Sequence, residues 1–343
     1  MTISEHTQRV TIRDVAGEAG VSTSTVSLFY QSPERVATTT GERITAAATK
    51  LGYVPRSRAS NGVRPGLFAL MMEELSLSAF PETVYGAIIG SIEAQARKHG
   101  FGMLLSTVEN GRIPHTVREN QAQGVIVLGG CPANDTLARE LAGLGVPLVL
   151  VDSYMPDLPV TSVVPDNEWG AHRAYQYLVE LGHTRIALIE GPAKYRTLVD
   201  RRWGALRAAE ELAVPILPEF RQRSISSGYP QKGYREMQAL LALPEIPTAV
   251  FAVSDRAALG ALEAIKEANL RVPQDIALIG FDDYAAAEFS TPALTTVYYN
   301  RELMGVIALE ALTAQIEGRS VQPVRHVVPS ELVVRASTVS HSR

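Results

Sequence analysis

The sequence predicts an α/β protein with a small helical unit at its amino terminus. Three short helix-like segments precede Gly66. From Leu67 onward, apolar runs alternate with amphipathic segments, an order typical of parallel sheets with helices on both faces. At 343 residues the chain can bury a sizeable core. The body of about 270 residues is large for one such sheet, so two similar lobes are expected.

Composition excludes several classes of protein. Hydrophobic residues make up 46% and charged residues 20% of the chain, as in soluble globular proteins. No run approaches the roughly 18 apolar residues of a membrane span, and residues 1–10 lack an apolar signal core. The single cysteine, Cys131, cannot form an internal disulfide. A cytoplasmic protein without membrane contact is expected.

The charge is unevenly distributed. Residues 1–64 contain eight Lys/Arg and five Asp/Glu, whereas the remainder contains 24 basic and 31 acidic residues. Only the amino-terminal part therefore suits a polyanion such as DNA, and the body should repel one.

The first two helices are predicted with a tight turn between them. Thr11 is a plausible N-cap for a helix over Ile12–Ala19, Gly20 supplies the turn, and Ser22 caps a second helix over Thr23–Tyr30. This is the pattern of a helix-turn-helix, whose second helix lies in the major groove of DNA. A small core is expected from Val15, Ala16, Ala19, Val21 and Val26.

A third helix is expected before a proline break. Thr39 and Glu42 have the spacing of a capping box, Gly52 ends the helix, and Pro55 breaks the chain in a basic connector. The apolar face would consist of Ile44, Ala47, Ala48 and Leu51.

In the body, seven segments read as buried strands and six as helices. The strands are Leu67–Met72, Phe101–Ser106, Gly124–Leu128, Val146–Val151, Arg185–Ile189, Thr248–Val253 and Ile276–Ile279. The helices are near Val84–His99, Thr136–Leu144, Glu168–Leu181, Val199–Leu212, Gln231–Leu243 and Asp255–Ala268.

Four blocks of the head share one spacing pattern: Thr11–Ala16, Ala19–Ser22, Thr25–Ser27 and Leu51–Pro55. They resemble the headpiece signature of the lactose-repressor (LacI/GalR) family of bacterial transcription regulators. The blocks of the body, which resemble the family's periplasmic-binding-protein-like sensor core, are Val149–Asp152, Leu181–Ala187, Arg201 with Gly204, Val250–Asp283 and Leu294–Val297.

The resemblance covers roughly Val10–Ser337 and implies an organisation in three parts. A helix-turn-helix headpiece would span 1–55, a hinge 56–66, and a two-lobed core 67–343. Within the core, lobe 1 would comprise about 67–160 plus 295–322, and lobe 2 about 161–292 plus 323–340.

For DNA, the exposed residues that open the recognition helix, Thr23 and Ser24, would reach base edges. Leu28 lies one turn further on; it packs either on a thymine methyl or in the headpiece core. Phosphate contacts or caps are expected from Thr11, Ser22, Thr25, Ser27, Thr40, Tyr53, Arg56 and Arg58.

The hinge departs from the family pattern. The resemblance implies a leucine that wedges into the minor groove, but this chain has Gly62 at that position, in Ala59-Ser60-Asn61-Gly62. Glycine has no side chain to insert, and Asn-Gly favours a turn, so a shorter or less ordered hinge helix is expected.

For a small molecule, the resemblance implies a cleft between the lobes with contacts from Asp152, Arg201, Ser254 and Asp282. Carboxylates and a guanidinium suit the paired hydroxyls of a polyol. Tyr85 would stack on a sugar or pack in the core or rim. At Ser254 the family usually has asparagine, so a lost or altered contact is expected there.

Two nearby polar residues have simpler structural interpretations. Asp255 follows a strand and is expected as a helix N-cap, and His183 follows Gly182 as a loop or cap residue.

No enzyme or cofactor motif is present. There is no dinucleotide fingerprint, P-loop, Gly-x-Ser-x-Gly elbow or metal-ligand spacing. The predicted function is a transcription repressor that binds double-stranded operator DNA and is controlled by a small-molecule effector, a sugar or sugar derivative. A homodimer is expected, with a tetramer as the alternative assembly. The alternative is a sugar-binding protein without a DNA role.

Overall fold

The structure, a computed structural model, describes residues 11–31, 35–51, 66–73, 85–108, 113, 122–130, 132–223, 231–319 and 322–339. Contacts divide the chain into two compact units, 1–65 and 66–343. Each unit is described by itself.

The amino-terminal unit contains the three predicted helices: α1 (Ile12–Ala19), α2 (Thr23–Gln31) and α3 (Thr38–Leu51). The backbone N–H of Thr11 donates to the Asp14 carboxylate at 2.7 Å, which closes a capping box at the start of α1. The expected capping box of the third helix is wrong, because α3 begins at Thr38, two residues earlier than a Thr39 cap would allow, and the N–H groups of Thr40 and Gly41 donate to the carbonyl of Ala37.

The turn after α1 is held from the third helix. Gly20 has φ 65°, in the left-handed region that favours glycine. The Arg43 side chain donates to the carbonyl of Ala19 at 2.5 Å and to that of Gly20 at 3.3 Å. The core around this turn is the predicted one, extended by α3: Val15, Ala16, Ala19, Val26, Ile44, Ala47 and Ala48, with Val21 partly buried against it.

The second unit contains two parallel sheets. The first has the strand order β11-β5-β4-β3-β1-β2 and the second the order β7-β6-β8-β9. Strands of the first sheet are β1 (Leu67–Glu73), β2 (Gly102–Val108), β3 (Val125–Leu128), β4 (Leu148–Val151), β5 (Thr161–Pro165) and β11 (Arg325–Val328). Strands of the second are β6 (Ile186–Glu190), β7 (Arg221–Arg223), β8 (Ala249–Ala252) and β9 (Ala277–Ile279). The expected pair of lobes, each with its own parallel sheet, is confirmed.

Helices cover both sheets. They are α4 (Tyr85–Lys98), α5 (Pro132–Gly143), α6 (Asn167–Glu180), α7 (Arg196–Glu211), α8 (Gln231–Leu241), α9 (Asp255–Glu267), α10 (Ala285–Phe289) and α11 (Arg301–Ile316). All seven predicted strands and six predicted helices of the body are present, with ends shifted by a few residues. The short or mixed-polarity strands β5, β7 and β11 were missed, as were α10 and α11.

A two-stranded antiparallel ribbon, β10 (Thr296–Tyr299) with β12 (Ser330–Val333), joins the lobes. Within the described residues the chain passes between the lobes three times: after β5, through β10 and through β12. The predicted lobe boundaries need correction, because β5 and β11 pair with each other in the first sheet and not in lobe 2. The sheet to which a parallel strand belongs depends on the strands that pair with it, and this pairing cannot be read from the sequence.

Candidate functional site

The candidate site lies where strands of the second unit end. Asp152 follows β4 of the first sheet, and Asp282 follows β9 of the second within three residues. Both residues have positive φ, 55° and 120°. Ligands of open α/β sheets bind at this carboxyl edge. The structure thus brings the two predicted carboxylates, one from each lobe, to the edge where a ligand would bind.

Arg201 is held rigidly at the centre of this site. It is 2% exposed, and its Nη1 lies 2.8 Å from Oδ1 of Asp282. Its Nε donates to Oδ1 of Asn167 at 2.8 Å, and Nη1 also donates to the carbonyl of Val253 at 2.9 Å. The guanidinium carbon lies 3.8 Å from the ring centroid of Phe281. These contacts fix the cation and the carboxylate as one pair.

Asp152 has one bonded and one unbonded carboxylate oxygen. The Tyr85 hydroxyl donates to Oδ2 at 3.1 Å, whereas Oδ1 is buried and has no hydrogen-bond partner. Burial raises the pKa of Asp152 from its ordinary value to about 6, against the opposing effect of Arg201. A buried acceptor without a donor is costly, so this oxygen is suited to accept a hydrogen bond from a ligand.

Tyr299, at the end of β10, was missed by sequence reasoning. Its side chain is buried and its hydroxyl has no hydrogen-bond partner. Burial, with the charges of Asp282 and Asp152 nearby, raises the pKa of this phenol, so it remains a neutral donor. The Leu294–Val297 block indicated this part of the chain. Polar residues at the end of a strand are candidates for ligand binding, and this rule could have identified Tyr299.

The helix cap that was predicted for Asp255 is made by Ser254 instead. Ser254 is the N-cap of α9, and its Oγ accepts from the N–H of Ala257 at 3.4 Å. Asp255 is therefore not the cap: it is fully buried, and its carboxylate accepts from the Thr296 hydroxyl at 2.5 Å and from the N–H of Tyr284 at 2.9 Å. Burial raises the pKa of Asp255 to about 7.

His183 is a buried loop residue, as the structural interpretation predicted. Its Nδ1 lies 3.0 Å from Oγ1 of Thr248, so the two side chains share a hydrogen bond. Both residues precede strands of the second sheet and therefore lie at its amino edge, away from the candidate site.

The start of α2 presents hydroxyl groups to solvent. Ser22 Oγ accepts from the N–H of Thr25 at 3.1 Å and lies 2.7 Å from the Ser24 hydroxyl. Thr23 and Ser24 are exposed. Leu28 is half-buried and is not part of the headpiece core cluster formed by the described residues.

The other predicted DNA-binding residues divide into two groups. Thr11 is exposed at the cap of α1, and Ser27 and Thr40 are half-buried on α2 and α3. Tyr53, Arg56 and Arg58, together with the hinge that contains Gly62, lie outside the described residues.

No helix in the described ranges is long and apolar enough to cross a membrane.

Two family models match the chain, one for each unit. The model "Bacterial regulatory proteins, lacI family" matches residues 11–56, and "Periplasmic binding protein-like domain" matches residues 175–338. The first match covers α1–α3 and the second covers most of the candidate site's lobe 2 residues.

Curated relatives match along nearly the whole chain. The HTH-type transcriptional repressor CytR of Escherichia coli (strain K12) is 32% identical over 333 residues, 96% of each chain. The HTH-type transcriptional regulator CelR of Thermobifida fusca is 33% identical over 344 residues, 97% of this chain and 99% of the relative.

Solved structures also match nearly the whole chain. A CelR–cellobiose complex has a TM-score of 0.74 at 32% identity, covering 96% of this chain and 100% of that one. The lac repressor dimer bound to operator and the anti-inducer ONPF has a TM-score of 0.78 at 28% identity, covering 97% and 100%.

Relatives of this kind are transcription regulators and not enzymes, and they span both the headpiece and the body. A small-molecule binding protein without a DNA-binding unit is thereby excluded. The chain belongs to the lacI family of bacterial regulatory proteins and is a DNA-binding transcription regulator.

Proposed function

We propose that this protein represses transcription by binding a pseudo-palindromic operator as a homodimer, under the control of a sugar or sugar derivative bound between its lobes. The observation that carries the proposal is the buried polar site that joins the two lobes. There, Asp152 of one lobe has a buried unbonded oxygen, and the Arg201–Asp282 pair faces it from the other.

The proposed DNA contacts come from the first turn of α2. Thr23 and Ser24 are exposed and would read base edges, while Leu28, outside the headpiece core, would pack on a thymine methyl. The remaining contacts would be made to phosphates. They are assigned to Thr11, Ser22, Thr25, Ser27, Thr40, Tyr53, Arg56 and Arg58.

The proposed effector contacts are Tyr85, Asp152, Arg201 and Asp282, with Tyr299 added. Two carboxylates, two phenol hydroxyls and a fixed guanidinium offer donors and acceptors for adjacent hydroxyl groups. The cellobiose in the CelR complex supports a sugar as the ligand class. Ser254 is given a supporting role, since its Oγ caps α9.

A dimer is supported by the lac repressor relative, whose structure is that of a dimer. Phe289 at the end of α10 is 80% exposed, and we assign it to the surface that a second copy would cover. Two headpieces would then bind two half-sites, and DNA binding places the protein in the cytoplasm.

The hinge is proposed to bend DNA weakly, because Gly62 offers no side chain to wedge between bases. Gly62→Leu should increase the bend of bound operator DNA in a fluorescence energy-transfer assay. Equal bending by both proteins would contradict this.

The test is fluorescence anisotropy with duplexes from the protein's own promoter region, titrated with and without a panel of sugars. Linkage requires that effector and DNA change each other's affinity by the same factor, typically about 5- to 150-fold. Failure to bind any of these duplexes at low salt, with or without sugar, would end the proposal.

A further inference from the structure

A second charged cluster lies at the carboxyl edge of the second sheet, and the contacts described above do not use it. Glu190 is the last residue of β6, and its side chain is only 3% exposed. Three arginines surround it: Arg202 from α7, and Arg221 and Arg223 from β7. These four residues are called the Glu190 cluster below.

The Glu190 cluster is a close neighbour of the effector site. Strands β6 and β8 are parallel, with Ile189 paired to Ala252, so Glu190 lies beside Val253. Adjacent strands are roughly 4.8 Å apart. The carbonyl of Val253 is the one that accepts from Arg201. The cluster is therefore one strand away from the Arg201–Asp282 pair, on the same edge of the sheet.

Glu190 fully pairs with only one of the three arginines. Arg221 donates to Oε1 through both Nε and Nη2, at 2.9 and 2.8 Å. Arg202 Nη1 and Arg223 Nε each lie 3.6 Å from Oε2, too far for a hydrogen bond. The Nε of Arg202 is buried and has no hydrogen-bond partner. The guanidinium groups of Arg202 and Arg223 therefore lie close to the Glu190 carboxylate but do not form hydrogen bonds with it.

The charge of the cluster indicates what would satisfy it. Three guanidinium groups and one carboxylate leave a net charge of +2. A phosphate monoester carries a charge near −2 at neutral pH and three acceptor oxygens, which match guanidinium forks well. A carboxylate would leave half of the excess charge in place.

Exposure gives the direction of approach. The side chain of Arg202 is 17% exposed, that of Arg221 36% and that of Arg223 62%. Arg202 is also backed by the ring of Trp203, 5.1 Å from the guanidinium carbon. An anion would therefore enter past Arg223 and stop at Arg202.

We propose that the Glu190 cluster binds the phosphate group of a phosphorylated effector whose polar body lies at Asp152, Arg201 and Asp282. The position of that body rests on the proposed function. Binding of the phosphate by the cluster does not, and it is tested separately.

The experiment is thermal unfolding of the full-length protein in increasing inorganic phosphate, with chloride holding the ionic strength constant. Wild type should show saturable stabilisation, because phosphate binds the folded state. Arg223→Gln, an exposed edge-strand change, should weaken the apparent phosphate affinity about tenfold, as expected for loss of a charged hydrogen bond. Arg271→Gln, an exposed arginine paired with Asp275, is the matched control and should leave the affinity unchanged.

Glu190→Gln supplies a test with the opposite sign. It raises the net charge of the cluster to +3, so this variant should bind phosphate about tenfold more tightly than wild type. A merely structural ion network predicts destabilisation that phosphate does not relieve. If Glu190→Gln does not fold, the comparison of Arg223→Gln with Arg271→Gln decides.

Three results would overturn the proposal. They are stabilisation equal in phosphate and in chloride, an unchanged affinity in Arg223→Gln, and equal saturable stabilisation by acetate, which would assign a carboxylate ligand instead. Phosphate binding by a protein that ignores its promoter DNA would keep this site and end the proposed function.

Discussion

Arg201 and Asp282 form an ion pair with an N–O distance of 2.8 Å, and both side chains are almost completely buried. The pair connects α7 to the chain that leaves β9, and Asn167 and Val253 each accept a further hydrogen bond from the arginine. Such a pair is only stable when both partners are present, since either charge alone would be buried without compensation.

Arg201→Met should therefore lower the free energy of unfolding by about 3–5 kcal/mol, because it removes the guanidinium partner of the buried Asp282 carboxylate. Urea unfolding monitored by circular dichroism measures this. Arg271→Met, which removes an exposed partner of Asp275, should lower the free energy of unfolding far less, because solvent screens the exposed pair. Losses of similar size in the two variants would contradict the assigned role of the buried pair.

The stability of the second unit should fall as pH rises from about 4 to 7. Burial raises the pKa of Asp152 to about 6 and that of Asp255 to about 7, so the folded state binds more protons than the unfolded state in this range. The stabilisation is fully present below the ordinary pKa near 4 and is lost as pH rises through the folded values.

Asp152→Asn removes one of these two contributions. At pH 8 the variant should be more stable than wild type by at most about 3 kcal/mol, and the difference should vanish near pH 4. Asp275→Asn is a control of opposite sign: its arginine partner lowers the pKa of Asp275 to about 2, so the native contribution is lost only as pH falls through that value. Thermal unfolding between pH 2 and 8 covers the range in which both contributions change. A constant offset between Asp152→Asn and wild type would refute the assignment.

Gly204→Ala should be strongly destabilising. A Cβ at this position of α7 would lie 2.1 Å from the carbonyl oxygen of Glu168 in α6, a contact that backbone atoms cannot relieve. We expect several kcal/mol of lost stability, or no folded protein. In α4, Gly90 meets nothing within 4 Å, so Gly90→Ala should stabilise the protein by about 1 kcal/mol through helix propensity. Equal effects in thermal unfolding would show that the α6–α7 crossing is looser than described.

Two headpiece variants should separate turn geometry from base reading. Arg43→Ala removes the hydrogen bonds to the carbonyls of Ala19 and Gly20, so operator affinity should fall by a similar factor for all sequences. Leu28→Ala should instead change the preference at a thymine position, with unchanged headpiece stability. Anisotropy titrations on a set of single-base operator variants measure this. If Leu28→Ala lowered the affinity equally for all operator variants, Leu28 would have to be assigned to the headpiece core and not to base reading.

Local chemistry made much of the fold predictable from sequence. The cap at Thr11, the left-handed turn at Gly20 and the alternation of buried strands with amphipathic helices each depend on a few neighbouring residues. Tertiary pairing is different. Strands such as Arg325–Val328 are half exposed and take their place only because Thr161–Pro165 offers them a free edge.

The candidate site was predictable in part for the same reason. Asp152, Arg201 and Asp282 sit in recognisable blocks, and the structure brings them to one edge. Asn167, Val253 and Tyr299 are distant in sequence, and their roles follow from packing. At the start of α9, Ser254 caps the helix, and the Asp255 carboxylate instead accepts a hydrogen bond from Thr296 in β10. The spacing of neighbouring residues does not show which of the two adjacent side chains will be the cap.

Three segments of the described part of the chain join the two lobes and restrict how the lobes can move. A single connecting segment would allow rotation in every direction. Two of these three segments pair as a hydrogen-bonded ribbon, which opposes sliding of one lobe past the other more than it opposes twisting. Relative motion is then confined to a narrow set of rotations about that ribbon. The proposed ligand at Asp152 would act close to Tyr299 of this ribbon, so a small displacement there would be magnified at the far ends of both lobes.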